Sequence, residues 1–165
     1  MKNEKYAALL PQVKALCEGE TDIIAKMANV AALLHQEFGF WWTGFYRVLP
    51  NEELRMKNEE SAHNSSLILG PFQGPIACVH IGYGKGVCGT AWKERRTVIV
   101  PDVEEFPGHI ACSSESRSEI VVPVFGADKR SAGQEVIAVL DIDSRELNTF
   151  DDTDARYLEE IVKFL

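Results

Sequence analysis

The stretch from Gly70 to Cys112 constrains the fold more than any other part of the chain. It contains three of the four cysteines and seven of the twelve glycines. Its pattern predicts short strands at 76–81 and 97–100, a short helix at 87–93 and glycine-bearing loops between them. Loops held by a rigid sheet often carry reactive groups. The stretch is therefore predicted to carry cysteine redox chemistry on a small molecule.

Hydrophobic patterns on either side of this stretch complete the fold prediction. Amphipathic periodicity predicts N-terminal helices at about 4–38 and a closing C-terminal helix at about 151–164. Strands and active-site loops are expected between them, at about 40–144. The predicted fold class is α+β, a central antiparallel sheet with helices packed on it, in one domain spanning 1–165.

Charge and hydropathy exclude several classes of partner. The chain has 165 residues, with 17 basic against 25 acidic side chains and a net charge of −8. An acidic protein of this kind has no electrostatic footprint for nucleic acid or for an anionic membrane surface. No apolar run approaches the ~20 residues that span a bilayer, and charges together with Pro11 interrupt any signal-peptide pattern near the N-terminus. We therefore expect a cytoplasmic protein.

The cysteines of a cytoplasmic protein are more often catalytic thiols, metal ligands or core residues than permanent disulfides. Cys17 falls on the apolar stripe of the first helix, so we expect it to be a core residue. Cys112 lies among small polar residues, close in sequence to His109 and Arg117. A cationic neighbour favours the reactive thiolate, which makes Cys112 a better candidate nucleophile than Cys88, at the start of a helix.

A zinc site is an alternative use of the same thiols. It would combine Cys78, Cys88 and Cys112 with His80 or His109. The spacings are irregular for a structural site, and no C-x-x-C pair is present. The prediction is therefore that the protein binds no metal and no cofactor.

Two aspartates near the C-terminal end of the chain are spaced for joint action. Asp141 and Asp143 are two residues apart on a predicted strand, so both side chains lie on one face. Paired carboxylates repel, which should keep one of them protonated to a higher pH than usual. Glu119 begins the neighbouring predicted strand and could join them. From spacing alone, the favoured alternative is that these carboxylates end their strands and face water.

Six motifs together resemble one known family, and they extend over nearly the whole chain. They are W-T-G-F-Y at 42–46, L-G-P-F-Q-G-P-I-A-C at 69–78, G-K-G-V-C-G-T-A at 84–91, I-A-C-S-S-E-S-R-S-E-I-V-V-P at 110–123, V-L-D-I-D-S at 139–144 and F-D-D-T-D at 150–154. The chain resembles the free methionine-(R)-sulfoxide reductases, single-domain proteins of the GAF fold. The last two motifs are general to GAF domains, and the three placed cysteines are the specific part.

The resemblance implies a thiol-dependent reaction on free methionine sulfoxide. Cys112 would attack the sulfoxide sulfur and become a sulfenic acid. Cys78 would resolve it as a disulfide, with Cys88 as a second relay. Thioredoxin, or a similar dithiol, would restore the thiols by exchange.

The same resemblance implies roles for residues around the substrate. Glu119, Asp141 and Asp143, called the acidic trio below, would hold the substrate ammonium and supply a proton. Trp42 and Tyr46 are candidates for packing around the methyl–sulfur end, although aromatic strand residues are more often core. Gln73 would border the pocket. Helices of this fold often pair, so a homodimer is also expected.

Two connections, at 50–65 and 126–134, are longer than the pattern of the family. They leave the catalytic residues in place but change the expected rim of the pocket. Two further functions compete with the enzyme: a non-catalytic GAF module that binds a small ligand, and a redox sensor whose Cys78–Cys112 disulfide changes a partner surface without turnover.

Overall fold

The computed structural model of the protein describes residues 1–49, 66–110, 114–126 and 135–165. Within these ranges the chain forms four α-helices and six strands. In chain order they are α1 (Lys2–Cys17), α2 (Ile23–Phe38), β1 (Trp42–Leu49), β2 (Ser66–Gln73), β3 (His80–Gly82), α3 (Gly86–Glu94), β4 (Val98–Val100), β5 (Ser118–Phe125), β6 (Val136–Ser144) and α4 (Asp152–Val162). The predicted α+β class is confirmed. The two long connections, apart from Gly126, lie outside the described residues.

The six strands form one sheet in the order β3-β2-β1-β6-β5-β4. Every neighbouring pair is antiparallel, as predicted. Strands β1, β6 and β5 form the centre, and the edge strands β3 and β4 have only three residues each. Short edge strands leave few unpaired backbone groups for another chain to pair with.

Local signals in the sequence set the ends of the helices. The carboxylate of Asp22 accepts hydrogen bonds from the backbone N–H groups of Ile24 and Ala25 and so caps α2. The same helix ends at Gly39, which adopts the left-handed conformation that glycine tolerates best. Helix α1 continues through Pro11 as one element. None of the helices in the described ranges is long and apolar enough to cross a bilayer.

Strand alternation divides the interior into two cores, one on each face of the sheet. On β1, Phe45 faces the core formed with helices α1, α2 and α4, whereas Trp42 and Tyr46 face the core formed with α3. Cys17 is buried in the first of these cores, so its prediction as a core residue is confirmed. The sheet therefore has a purely structural face and a face covered by α3 and loops.

The predicted strand at 76–81 is shorter than expected. Only His80–Gly82 pairs as β3, and the preceding residues are irregular. Side chains of β1 satisfy backbone acceptors there instead of a strand partner: the Trp42 indole N–H donates to the carbonyl of Pro75, and the Tyr46 hydroxyl donates to that of Cys78. The predicted helix at 87–93 is confirmed as α3.

Candidate active site

A narrow cavity of about 50 Å³ lies on the α3 face of the sheet. Its walls combine acidic, aromatic, apolar and thiol side chains from the strands, from α3 and from two loops. The lining residues are Trp41, Trp42, Tyr46, Pro75, Ile76, Ala77, Ile81, Lys85, Gly86, Val87, Cys88, His109, Ile110, Ser116, Glu119, Asp141 and Asp143. Most of the predicted site residues that the structure describes therefore converge on one cavity.

The sheet register brings the acidic trio together. Glu119 on β5 lies directly opposite Asp143 on β6, and Asp141 lies two residues further along the same face of β6. On the other side of β6, Asp141 is opposite Gly44 of β1, where a Cβ atom would overlap the Trp42 and Phe72 side chains. The register therefore places the three carboxyl groups of the trio on one face of the sheet.

Glu119 and Asp141 are buried and Asp143 is half-buried, so the alternative that these carboxylates face water is wrong. Glu119 and Asp141 are each only 6% exposed. Both side chains lie between strands β1 and β5 and helix α3. The spacing of residues along one strand could not predict this burial. One oxygen of Asp141, Oδ1, is buried without a hydrogen-bond partner. A buried acceptor of this kind costs stability and is available to a ligand.

Burial is the main cause of the altered acidity in this cluster. It raises the pKa of Glu119 well above its usual range, and the charges of Asp141 and Asp143 raise it further. Burial, followed by the charge of Asp143, raises the pKa of Asp141 in the same way. The pKa of Asp143 is raised to about 6 by burial, against a hydrogen bond from Ser116 that lowers it. Like-charge repulsion, the predicted cause, is secondary to desolvation.

Cys88 joins the trio from the first turn of α3. The helix approaches the preceding turn so closely that a Cβ atom at Gly89 would overlap the carbonyl oxygen of Gly82, which seats Cys88 against Asp141. The thiol is buried, and desolvation followed by the carboxylates of Asp141 and Glu119 raises its pKa well above the usual value. The raised pKa disfavours the thiolate form of Cys88, which makes this buried thiol unsuited to act as the first nucleophile.

Two cavity residues were missed as site residues by the sequence analysis. The Ser116 hydroxyl donates to Oδ1 of Asp143. Nε2 of His109 lies 3.9 Å from Oε2 of Glu119, and burial lowers the pKa of this histidine. Ser116 falls inside the motif at 110–123, which was the available signal. His109 was considered only as a neighbour of Cys112 and as a zinc ligand.

An aromatic wall faces the acidic trio. Trp42 stacks on Tyr46 and on Phe72, with ring centroids 5.9 Å and 5.3 Å apart. Trp42 and Tyr46 line the cavity as predicted. Gln73, predicted to border it, is exposed and is not among the lining residues, because it follows Phe72 on β2 and so lies on the opposite face of the strand.

Trp41 is a further aromatic residue of the cavity, and the sequence analysis did not single it out. It lies just before β1, so the alternation of the strand does not fix its direction. The guanidinium of Arg145 stacks on its ring, 3.4 Å from the centroid. Nε of Arg145 also forms an ion pair with Oε2 of Glu115, at 2.9 Å. These contacts connect the rim of the cavity to the loop that follows Cys112.

The cysteines fall into two groups. Cys17 and Cys88 are free thiols, whereas Cys78 is disulfide-bonded. Cys112, the predicted nucleophile, lies outside the described residues. Neither His80 nor His109, the histidines of the alternative zinc site, is among the potential metal ligands that meet in the described ranges. Those ligands are Cys88, Glu119 and Asp141, with one donor atom each within 4.8 Å of one another.

An antiparallel six-stranded sheet with helices on one face and an enclosed cavity on the other defines an α+β domain of the GAF class. The sequence model of the family described as "GAF domain" matches residues 20–164. The chain belongs to the GAF domain family.

Similar proteins are found among both characterised sequences and solved structures. The chain is 50% identical to GAF domain-containing protein A of Dictyostelium discoideum, over 99% of this chain and 92% of that protein. It is 40% identical to the free methionine-R-sulfoxide reductase of Escherichia coli, over 98% and 86% of the two chains. The X-ray structure of free methionine-R-sulfoxide reductase from Neisseria meningitidis, in complex with its substrate, superposes with a TM-score of 0.84 at 45% identity, covering 99% of this chain and 87% of that one.

Proposed function

We propose that this protein reduces free L-methionine-(R)-sulfoxide to methionine, using the thiols of Cys112 and Cys78. The observation that carries the proposal is the buried acidic trio, placed opposite an aromatic wall in one cavity. Reductases of this activity from Escherichia coli and Neisseria meningitidis resemble the chain over almost its whole length. The disulfide at Cys78, together with free thiols at Cys17 and Cys88, supports the pairing of Cys78 with Cys112.

The proposed reaction begins with attack of the Cys112 thiolate on the sulfoxide sulfur. This attack forms a bond between the two sulfur atoms, and a carboxylic acid of the trio protonates the sulfoxide oxygen. The oxygen then passes as OH to the Cys112 sulfur, so that the substrate S–O bond and the transient S–S bond break, methionine leaves and Cys112 becomes a sulfenic acid. The Cys78 thiol then attacks the sulfenic sulfur and releases water as the disulfide forms. Thioredoxin, or another dithiol, reduces this disulfide by exchange and is itself oxidised. The two electrons that reduce the sulfoxide thus come from the external dithiol.

The different acidities within the trio divide its roles. Asp143, with a pKa raised only to about 6, is ionised at neutral pH and binds the substrate ammonium. Glu119 and Asp141, with pKa values raised well above the usual range, retain a proton that can be given to the leaving oxygen. A methionine sulfoxide within a peptide has no free ammonium and would leave a buried carboxylate unpaired, so the site selects the free amino acid.

The proposal is tested by giving the purified protein racemic free methionine sulfoxide with excess dithiothreitol. We expect selective loss of the R epimer, followed by chiral chromatography. Replacing the nucleophile in Cys112→Ser should reduce turnover by at least about 10³-fold. Cys17→Ser is the matched control, because this thiol is buried in the opposite core, and it should turn over at the wild-type rate.

Persistence of both epimers with folded protein would overturn the enzyme proposal. Binding of the sulfoxide without turnover, retained in Cys112→Ser, would identify a ligand-binding GAF module. Disulfide formation on addition of peroxide, without consumption of the sulfoxide, would identify a redox sensor.

A further inference from the structure

We propose that Cys88, Glu119 and Asp141, called the acid–thiol cluster below, form a binding site for one divalent ion of the Zn²⁺ class. The site would lie inside the cavity, so that the ion and the amino-acid substrate exclude each other. Nothing in the fold requires such an ion. The proposal rests on the geometry of the three donors and on an unsatisfied acceptor among them.

The donors come from three elements that meet at one point. Cys88 is supplied by α3, Glu119 by β5 and Asp141 by β6, and one donor atom of each lies within 4.8 Å of the other two. Zinc binds thiolate sulfur at ~2.3 Å and carboxylate oxygen at ~2.0–2.2 Å, which places neighbouring ligand atoms roughly 3.5 Å apart in a tetrahedral site. Small side-chain rotations would therefore close the three donors around an ion.

Asp141 shows the need for a further partner most directly. Its carboxylate is 6% exposed, and its Oδ1 has no hydrogen-bond partner. Cys88 and Glu119 each place one donor atom within 4.8 Å of this aspartate, but its Oδ1 is left without a partner among the described residues. A bound cation would satisfy this oxygen.

The donor set favours a borderline-soft transition metal over magnesium or calcium. Mg²⁺ and Ca²⁺ take oxygen ligands in octahedral or larger shells, whereas a thiolate selects ions such as Zn²⁺ and Co²⁺. A water molecule from the cavity would supply the fourth ligand. His109, with Nε2 3.9 Å from Oε2 of Glu119, lies beside the cluster but is not among the donors within 4.8 Å of one another.

A bound ion would act as a reversible inhibitor of the reductase, a consequence that rests on the proposed function. Glu119 and Asp141 belong both to the acidic trio and to the acid–thiol cluster. An ion held by them occupies the polar end of the cavity and places positive charge where the ammonium would bind. Inhibition should therefore be competitive with methionine sulfoxide and be reversed by a chelator.

The binding claim is tested with Co²⁺ and the oxidised protein, in which Cys78 is disulfide-bonded and Cys88 is free. Titration should produce a thiolate-to-Co²⁺ charge-transfer band in the near ultraviolet at one ion per chain, and Zn²⁺ should displace it. We expect Cys88→Ser to abolish the band and to raise the dissociation constant by more than about tenfold. Cys17→Ser should keep both unchanged, because this cysteine lies in the opposite core.

A band that is absent from the folded wild-type protein, or that persists in Cys88→Ser, would overturn the proposal. Asp141→Asn provides a second variant if Cys88→Ser does not fold, and it should weaken Co²⁺ binding by a similar factor. Because the band is read without substrate, failure of the reductase assay and failure of metal binding are separate results.

Discussion

Two buried aspartates on opposite faces of the sheet show how this molecule separates stability from function. Asp154, at the start of α4, is fully buried. It accepts hydrogen bonds from Lys2 Nζ at 2.6 Å, Tyr6 Oη at 2.9 Å and the backbone N–H of Asp151 at 2.8 Å. Asp141, nearly as buried, has no cation among the partners described above and one oxygen without any partner.

The difference between the two sites is one of charge balance rather than of burial. Asp154 has a lysine beside it and several donors, so its charge is satisfied when the protein folds. Asp141 is surrounded by a thiol and two further carboxyl groups, and its Oδ1 has no hydrogen-bond partner among the described residues. A buried acid with its own cation joins α1 to α4, and a buried acid without one indicates a ligand site.

The largest expected effect is the loss of activity on substitution of Asp141, which would separate the role of this aspartate from that of Asp154. Asp141→Asn removes one of the two carboxylic acids that are proposed to protonate the leaving oxygen, and an amide cannot replace it. We expect kcat/KM for free methionine sulfoxide to fall by about 10²–10³-fold. The free energy of unfolding should be unchanged or higher, because a buried carboxyl group without a cationic partner has been replaced by a neutral amide. If the variant loses stability and its folded fraction turns over at the wild-type rate, Asp141 has a structural role and the contrast with Asp154 is contradicted.

The same substitution at Asp154 should reduce stability and leave activity unchanged. Asp154→Asn leaves Lys2 without its buried partner and weakens the bond from Tyr6, so we expect the protein to lose about 3 kcal/mol of stability. Activity per folded molecule should remain that of the wild type, because Asp154 lies on the face away from the cavity. Urea denaturation and single-substrate kinetics on the same preparation measure both. An activity loss at full stability would show that the two faces are coupled.

The two faces should also respond to pH with opposite sign. The pKa of Asp143 is about 6 in the folded protein and about 3.9 when unfolded, so the folded state binds more protons between these values. Stability contributed by Asp143 is full below about pH 4 and is lost as the pH rises through about 6, by up to about 3 kcal/mol. Glu119 and Asp141, with pKa values raised further, extend the loss to higher pH.

On the helical face, Asp151 has its pKa lowered by hydrogen bonding to Lys2. Its contribution is present above its unfolded pKa and is lost as the pH falls through the folded value. Thermal denaturation from about pH 4 to about pH 8 should therefore show decreasing stability with rising pH. Asp143→Asn should flatten this slope between about pH 4 and about pH 6, and an unchanged slope would exclude Asp143 as its cause.

The sequence predicted the fold better than the surroundings of the site. The reason is that the fold signals come from residues close together in sequence, whereas the surroundings of the site come from residues far apart in sequence. Alternation and capping act within a few residues, so the strands carrying Glu119 and Asp143 and the cap at Asp22 could be predicted. The burial of Asp141 depends on Gly44 and on the close approach of α3, which are far away in sequence. Spacing alone therefore favoured a solvated pair of aspartates, and the structure shows a desolvated one.

The direction of side chains near the ends of strands was the second feature that the sequence did not predict. Gln73 follows the alternation of β2 away from the cavity, although its motif suggested a rim residue. Trp41 precedes the first residue of β1, so the alternation of the strand does not fix its direction, and it lines the cavity. In both cases, a shift of one residue in the strand register or in the strand boundary changes the face on which the side chain lies. Hydrophobic periodicity does not predict strand boundaries to within one residue.

The smallest expected effect tests how finely the acidic trio is tuned. The Ser116 hydroxyl donates to Asp143 and lowers the pKa of that carboxyl against the effect of burial. Removing this donor in Ser116→Ala should raise the pKa of Asp143, so that the carboxylate needed for the ammonium is lost at a higher pH. Because a hydrogen bond to a charged group contributes about 1.5 kcal/mol, the acid limb of the kcat/KM profile should move up by roughly one pH unit.

The matched control is Ser114→Ala, in an exposed residue of the same loop, and its pH profile should not move. At a pH well above the acid limb, Ser116→Ala should approach the wild-type rate, because Asp143 is then ionised in both proteins. A loss that is equal at every pH would instead show that Ser116 positions the loop. In that case the acidity of Asp143 would be set by burial alone, and the hydrogen bond would have no part in substrate selection.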